Sequence, residues 1–331
     1  MEVNPVQCKA IVVSQTGGPE VLRFTEQTVG EPGPGEALVR HRAVGLNFVD
    51  IYFRSGVYPA PAMPFTPGTE AAGAVEAVGQ GVTEVKAGDR VAYAGGPLGS
   101  YAEARVMPAR FLVKIPDKID EATAAAAMLK GLTAHFLVFS TYPVKPGDTI
   151  LAHAAAGGVG LILCQWAKHL GATVIGTVGS AEKARIAAAH GCDYTINYNT
   201  EDFVARVKEI TKGAMVPVVY DAVGQATFMK SLDCLRPRGL MVSYGQASGM
   251  VPPFAVNTLG NKGSLFLTRP TLLTYAASRE ELIQRADALF DALARGIVRC
   301  EVNQRFALKD AAEAHRALGE RRTVGSTVLI P

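Results

Sequence analysis

Residues 148–160 read Asp-Thr-Ile-Leu-Ala-His-Ala-Ala-Ala-Gly-Gly-Val-Gly, and this stretch decides the fold. A β-prone run (149–152) passes through a glycine-rich turn into a helical period at 159–170, and a second β-prone run follows at 173–178. Gly157 and Gly160 match the second and third glycines of G-x-G-x-x-G, with Ala155 at the first. In such a turn the second glycine lets the backbone approach a pyrophosphate, and the third lets helix and strand pack closely. The helix amino terminus beyond offers N–H groups and a positive dipole end to phosphates. The motif alone is weak, but strand, turn, helix and second strand stand in the order a dinucleotide site requires. The competing reading is a tight βα turn in an enzyme with another cofactor.

Working outward, helical periods at 182–190, 203–211 and 227–235 alternate with β-prone runs at 195–196, 216–221 and 240–244. That alternation predicts a parallel sheet wrapped by helices. Gly171, Gly191 and Gly213 stand where left-handed residues close helices. Ahead of residue 122 the texture is different. Short β-prone runs at 10–13, 21–24, 37–44, 72–78, 90–94, 100–106 and 111–115 are punctuated by Gly17-Gly18-Pro19 and Pro32-Gly33-Pro34-Gly35. They predict a barrel-like β domain. After residue 268 the alternation breaks. A helix is expected at 279–294, with Leu282, Ile283, Ala286, Leu289, Phe290 and Leu293 on one face, then a helix at 308–318 and a strand at 327–330.

Length and composition agree. The 331 residues are 48% hydrophobic and 19% charged, as in a globular enzyme. Single cores stop growing at roughly 250–300 residues, so two domains are expected. The formal charge of +3 supports no nucleic-acid-wrapping surface and agrees with an anionic ligand. Residues 1–7 hold no apolar signal-peptide core, and the alanine-rich run 122–129 is too short to span a bilayer. Cys8, Cys164, Cys192, Cys234 and Cys300 are odd in number and irregularly spaced. They read as small buried hydrophobes in a reducing cytoplasm, with no zinc-ligand spacing among them.

The end of the second strand indicates the cofactor. An NAD site places Asp or Glu there for the ribose 2′-OH. Here the chain reads Val178-Gly179-Ser180, with no acid and with Lys183 close behind. A small pocket with a cation suits a 2′-phosphate. The bland reading of Lys183 is a solvated helix face.

Further stretches carry a family resemblance. Residues 68–82 read Gly-Thr-Glu-Ala-Ala-Gly-Ala-Val-Glu-Ala-Val-Gly-Gln-Gly-Val and residues 87–91 Ala-Gly-Asp-Arg-Val. With 153–161, 218–221 (Val-Val-Tyr-Asp) and 236–242 (Arg-Pro-Arg-Gly-Leu-Met-Val), they resemble the zinc-free, NADPH-dependent quinone reductases of the medium-chain dehydrogenase/reductase superfamily, which include the zeta-crystallins. The resemblance spans essentially the whole chain. It implies an α/β protein with a GroES-like β-rich catalytic domain (residues 1–127 and 271–331) and an inserted doubly wound Rossmann domain (128–270). It also implies a cofactor in the cleft between them and a homodimer or tetramer. Zinc enzymes of the superfamily carry Cys near the position of Asn47, and Gly-His-Glu where this chain has Gly68-Thr69-Glu70. With Cys and His both missing, a metal-free site is expected.

By resemblance, NADPH contacts fall on Asn47, Lys130, Thr133, Gly157, Gly158, Val159, Gly179, Ser180, Lys183, Tyr198, Tyr244 and Arg321. Ser180, Lys183, Tyr198 and Arg321 form the 2′-phosphate pocket, with Arg322 the alternative to Arg321. Asn47, Asp50, Tyr52 and Tyr58 line the substrate side and are the catalytic candidates; packing beneath a loop is the bland reading of the two tyrosines. His41, His135 and His190 read as structural or exposed, and His153 as a strand end. No triad and no Gly-x-Ser-x-Gly elbow is present, which disfavours acyl transfer. The expected reaction is metal-free hydride transfer from NADPH to a quinone, without nucleic-acid or membrane partners. The alternatives are a reductase of α,β-unsaturated carbonyls and a non-catalytic crystallin or RNA-binding relative.

Overall fold

The computed structural model describes residues 5–331, so part of the signal-peptide reading of residues 1–7 lies outside the described residues. The chain begins with an antiparallel hairpin, β1 (Val6–Val12) and β2 (Arg23–Val29). It continues through β3 (Glu36–Leu46), α1 (Phe48–Ser55), β4 (Glu70–Val78), β5 (Arg90–Ala94), β6 (Ala104–Pro108), β7 (Val113–Lys114) and α2 (Glu121–Phe136). Alternation then sets in with β8 (Thr149–Ala152), α3 (Gly158–His169), β9 (Thr173–Val178), α4 (Ala181–Ala189) and β10 (Tyr194–Asn197). After these come α5 (Phe203–Ile210), β11 (Val216–Asp221), α6 (Phe228–Leu232), β12 (Leu235–Ser243), α7 (Asn257–Asn261), β13 (Phe266–Thr268) and α8 (Leu272–Tyr275). The chain closes with α9 (Arg279–Ala294), β14 (Val302–Ala307), α10 (Ala311–Gly319) and β15 (Ser326–Ile330).

Two units emerge. The first takes residues up to Leu132, Ala276–Ala294 and Cys300–Pro331; the second takes Thr133–Tyr275 and Arg295–Arg299. The family resemblance places the first division at 127/128, and sequence texture changes near 122; both points fall in α2. That helix is continuous, so a boundary inside it leaves little trace in composition. The return point falls after Tyr275 rather than at 271, and residues 295–299 group with the second unit.

The second unit is a six-stranded, all-parallel sheet in the order β10-β9-β8-β11-β12-β13. This is a doubly wound order, whose direction reverses between β8 and β11. Every residue of β11 is buried, as expected for a central strand covered on both faces. Leu151, Ile175, Ile196, Val219 and Met241 from the strands pack with Phe203, Val207, Phe228 and Leu232 from the helices. Gly171, Gly191 and Gly213 take φ of +86°, +99° and +85°. The first unit holds a seven-stranded, mostly antiparallel sheet, β14-β15-β3-β4-β5-β7, with β6 on β3. Its core runs from Ile11 and Val39 through Tyr93 and Tyr101 to Ala311, Ala314 and Leu329.

Several local expectations shift. Pro19–Val21 is a 3-10 turn, so β2 starts at Arg23 instead of residue 21. The strand expected at 100–106 is displaced to β6, because Gly99 and Ser100 both donate to Gly68 O in a preceding loop. Helix α6 stops at Leu232, and β12 takes up residues from Leu235 onward. On α9, Arg285 and Ala292 are buried while Ile283 and Leu293 are half-buried, a small rotation of the expected face. The apolar stretch is longer than residues 122–129: α2 runs on through a π-helical segment, Leu137–Thr141, and the continuous helix Glu121–Thr141 has the length and apolarity to cross a membrane. Its apolar window is 78% buried inside the protein, as in a core helix.

Candidate active site

In the second unit the glycine turn lies at the carboxyl end of β8, at the reversal point of the sheet. Its shape rests on Ala154, which takes a left-handed φ of +54° and whose carbonyl accepts from Gly157 N at 2.9 Å. Gly160 packs against that carbonyl so closely that a Cβ there would lie 2.3 Å from Ala154 O and 2.9 Å from Ala155 Cα. Gly157 is the N-cap of α3, and Gly158 and Val159 are its first residues, all three half-buried. A helix leaves its first N–H groups without intrahelical partners, so this end suits a diphosphate.

At the carboxyl end of β9, Ser180 caps α4 by accepting from Lys183 N at 3.2 Å. Tyr198 follows β10 and brings its hydroxyl to Gly179, where a Cβ would lie 2.6 Å from it. The structure thus brings Gly179, Ser180, Lys183 and Tyr198 together. It adds Asn199, which sequence reasoning missed and whose Nδ2 donates to Gly179 O at 2.8 Å. Tyr244 stands at the end of β12, half-buried, with its N–H on Asp221 O at 2.9 Å; burial pushes its phenol well up. Thr133 is buried in α2.

In the first unit Glu70 is fully buried, and its carboxylate is filled on three sides. Asn47 Nδ2 donates at 2.7 Å and Lys130 Nζ at 3.1 Å to Oε2, while Leu129 N donates at 2.6 Å to Oε1. Both charged partners are more than nine-tenths buried. Sequence alone saw Glu70 as a bare carboxylate; the lysine that neutralises it comes from 60 residues away.

Asp50 is also fully buried. Oδ2 accepts from Asn47 N at 2.8 Å and from Tyr101 OH at 3.0 Å. The chain of donors is forced. A guanidinium only donates, so Arg54 Nη1 gives to His315 Nδ1 (3.4 Å), and His315 Nε2 then gives to Tyr101 OH (2.9 Å), which gives to Asp50. Asp50 Oδ1 is buried with no partner among the described residues. Burial pushes the Asp50 carboxyl from 3.8 up to about 7, and the hydrogen bonds from Asn47 and Tyr101 oppose this. Burial holds His41 down at about 4 and His315 at about 3.

A carboxyl raised in the folded state binds more protons there than in the unfolded chain. Its contribution to stability is therefore present below about 4 and lost as pH rises to about 7. The two histidines act oppositely, losing stability as pH falls from about 6.5 through their folded values. Asp50→Asn should remove the Asp50 contribution, so that stability rises more steeply with pH between 4 and 7 than in the parent protein. Urea unfolding across that range checks this, and an unchanged slope would refute it.

Tyr52 is buried and Tyr58 half-buried, with ring centroids 5.1 Å apart; Phe48 and Phe53 extend the aromatic cluster. Arg321 follows α10 in a left-handed conformation (φ +60°), and the adjacent Arg322 is held by Glu313 and Glu320. His153 is fully buried between Thr177 Oγ1 and Ser231 Oγ, at 2.8 Å each, and Ser231 leans on Asp221 at 3.4 Å. With serine in the middle, this His-Ser-Asp row ties β8 to β9 and α6 and is no nucleophile triad.

Residues 33–117 match the family model of the alcohol dehydrogenase GroES-like domain, and residues 158–291 that of the zinc-binding dehydrogenases. A quinone oxidoreductase of Pseudomonas aeruginosa is 56% identical over 323 residues, covering 98% of this chain and 99% of that protein. The chain belongs to the quinone oxidoreductase family. The solved quinone oxidoreductase of Escherichia coli, complexed with NADPH, is 50% identical with a TM-score of 0.96, covering 98% of this chain and all of that one. A 2-haloacrylate reductase from Burkholderia is 48% identical over 97% of this chain and 98% of its own. Although one matched model is named for zinc, no group of three His, Cys, Asp or Glu among the described residues is placed to hold a metal ion. In this chain the Lys130 ammonium faces Glu70.

Proposed function

We propose that this chain is an NADPH-dependent quinone reductase working without a metal. Full-length likeness to quinone oxidoreductases, one of them solved with NADPH, carries the reading. The acid-free end of β9 agrees with the cofactor, and the glycine turn fits it: only a residue without Cβ allows the closeness at Gly160.

When bound, NADPH supplies the hydride. In the second unit, the α3 amides of Gly158 and Val159 would hold the diphosphate, and Ser180, Lys183 and Tyr198 the 2′-phosphate. Thr133 and Tyr244 would flank the ring. Lys130 and Asn47 keep donors beyond those given to Glu70, because an ammonium has three and an amide two. Asn47 and Tyr52 would donate to the oxygen that gains charge on a quinone. Tyr58 would pack against Tyr52 beside it, and Asp50 would position Asn47 through its N–H.

The test compares NADPH with NADH on 1,4-benzoquinone and 9,10-phenanthrenequinone. A charge-assisted hydrogen bond contributes about 1.5–3 kcal/mol, so Lys183→Ala should raise KM for NADPH about 10- to 100-fold and spare NADH. Equal loss with both cofactors would remove Lys183 from the 2′-phosphate site. Unchanged kcat/KM for every quinone in both Asn47→Ala and Tyr52→Phe would remove the donor role. A second reading, reduction of a C=C bond conjugated to a carbonyl, is favoured by the 2-haloacrylate reductase relative. Faster turnover of a 2-alkenal than of any quinone would select it.

The same reading makes the protein a cytoplasmic homodimer. All five cysteines are free, as a reducing compartment requires. β13 ends the parallel sheet, and Phe266, Leu267, Met250, Val256 and Leu273 are exposed along residues 250–273. An apolar sheet edge suits pairing with a second copy across a two-fold axis. Light scattering should give twice the chain mass, and a monomer would refute it.

A further inference from the structure

Outside the residues assigned above, the second unit holds a close pair of thiols. Cys192 Sγ donates to Cys164 Sγ at 3.5 Å, both buried. Cys164 lies on α3, one turn beyond the glycine turn, and Cys192 lies between α4 and β10. Their surroundings are tight in both directions. A Cβ on Gly176 of β9 would lie 2.6 Å from Cys192 Sγ and 2.7 Å from the Cβ of Ala155, within the glycine turn. A Cβ on Gly191 would lie 2.8 Å from Cys164 O. The Cys192 sulfur therefore packs on Gly176 of β9, a glycine that the Ala155 methyl of the glycine turn also crowds.

We propose that Cys164 and Cys192 form a redox-modification site, whose disulfide distorts the glycine turn and weakens NADPH binding. It rests on the reading that this turn holds NADPH. Both S–H bonds break and one S–S bond forms, and the two electrons and two protons pass to a two-electron oxidant, a quinone becoming a hydroquinone. Closing from 3.5 Å to about 2.05 Å draws α3 toward the α4–β10 turn. Cys192 Sγ and the Ala155 methyl both crowd the same point over Gly176, within 2.7 Å of where its Cβ would stand, so movement of the sulfur is passed toward the turn. The hydrogen bond from Cys192 and burial push the Cys164 thiol well up, which keeps the pair reduced until the turn at residues 190–193 opens.

The test oxidises the intact, full-length protein with diamide, whose N=N bond takes up the two hydrogens. Blocking the remaining thiols, digesting and weighing peptides then finds the linkage, and Trp166 fluorescence measures NADPH affinity. The expected result is a Cys164–Cys192 peptide and a Kd for NADPH raised about three- to tenfold, both reversed by dithiothreitol. Cys192→Ala should show neither change; should it fail to fold, Cys164→Ala serves. Loss of the half-buried Cys300 thiol without the linked peptide would overturn the proposal, as would linkage with unchanged Kd. Failure of the unoxidised protein to bind NADPH would instead strike the proposed function, because peptide linkage is read independently.

Discussion

Gly160→Ala is expected to lower kcat/KM for NADPH about a hundredfold, because a displacement near 1 Å at a positioning element costs that much. The methyl group would stand 2.3 Å from Ala154 O and under 3 Å from two atoms of Ala155. These are backbone atoms of the turn itself, so no side chain can swing away to make room. Either α3 retreats from β8 or the turn opens, and both move the Gly158 and Val159 amides. Ala154 is already in a left-handed conformation and has little freedom to accommodate. Gly260→Ala in the same unit meets nothing within 4 Å and should leave the kinetics unchanged. Steady-state kinetics on both variants, with circular dichroism to show folding, checks the contrast. A Gly160→Ala enzyme with a normal KM for NADPH would mean that this turn does not hold the phosphates.

Lys130→Met should destabilise the protein by about 3–5 kcal/mol, the cost of leaving a buried charge without its partner. Glu70 is inaccessible to water, and its remaining donors, Asn47 Nδ2 and Leu129 N, are neutral. Glu70→Gln combined with Lys130→Met removes both charges and should recover at least half of the loss, since a neutral pair carries no desolvation penalty of that size. Urea unfolding of the two single variants and the double variant measures the coupling. If the losses simply add, the pair contributes nothing as a pair.

What was legible in the sequence is what local geometry encodes. β5, β8, β9, β11 and α9 fall within the residues where period and punctuation place them. The same is true of the left-handed glycines and of the strand–turn–helix at 148–160, because backbone hydrogen bonding and side-chain period act over a few residues. The acid-free end of β9 was readable for the same reason. Where local signals conflicted, tertiary contacts decided: Gly68 O drew residues 99–100 into a loop, and β6 began later.

The polar interior was not legible. Asn47, Glu70 and Lys130 meet across 23 and 60 residues, and Asp50, Tyr101 and His315 across 51 and 214. No spacing announces such meetings. They exist because burying a carboxylate demands donors, and only the folded sheet and helices bring those donors within reach. Asp50 turned out to be fully buried, accepting from Asn47 N and Tyr101 OH, and Cys164 and Cys192 read as separate hydrophobes and became neighbours. Sequence alone determined the Rossmann turn and the family of the chain; tertiary structure decided which charges are paired and which thiols touch, since those depend on contacts between distant segments.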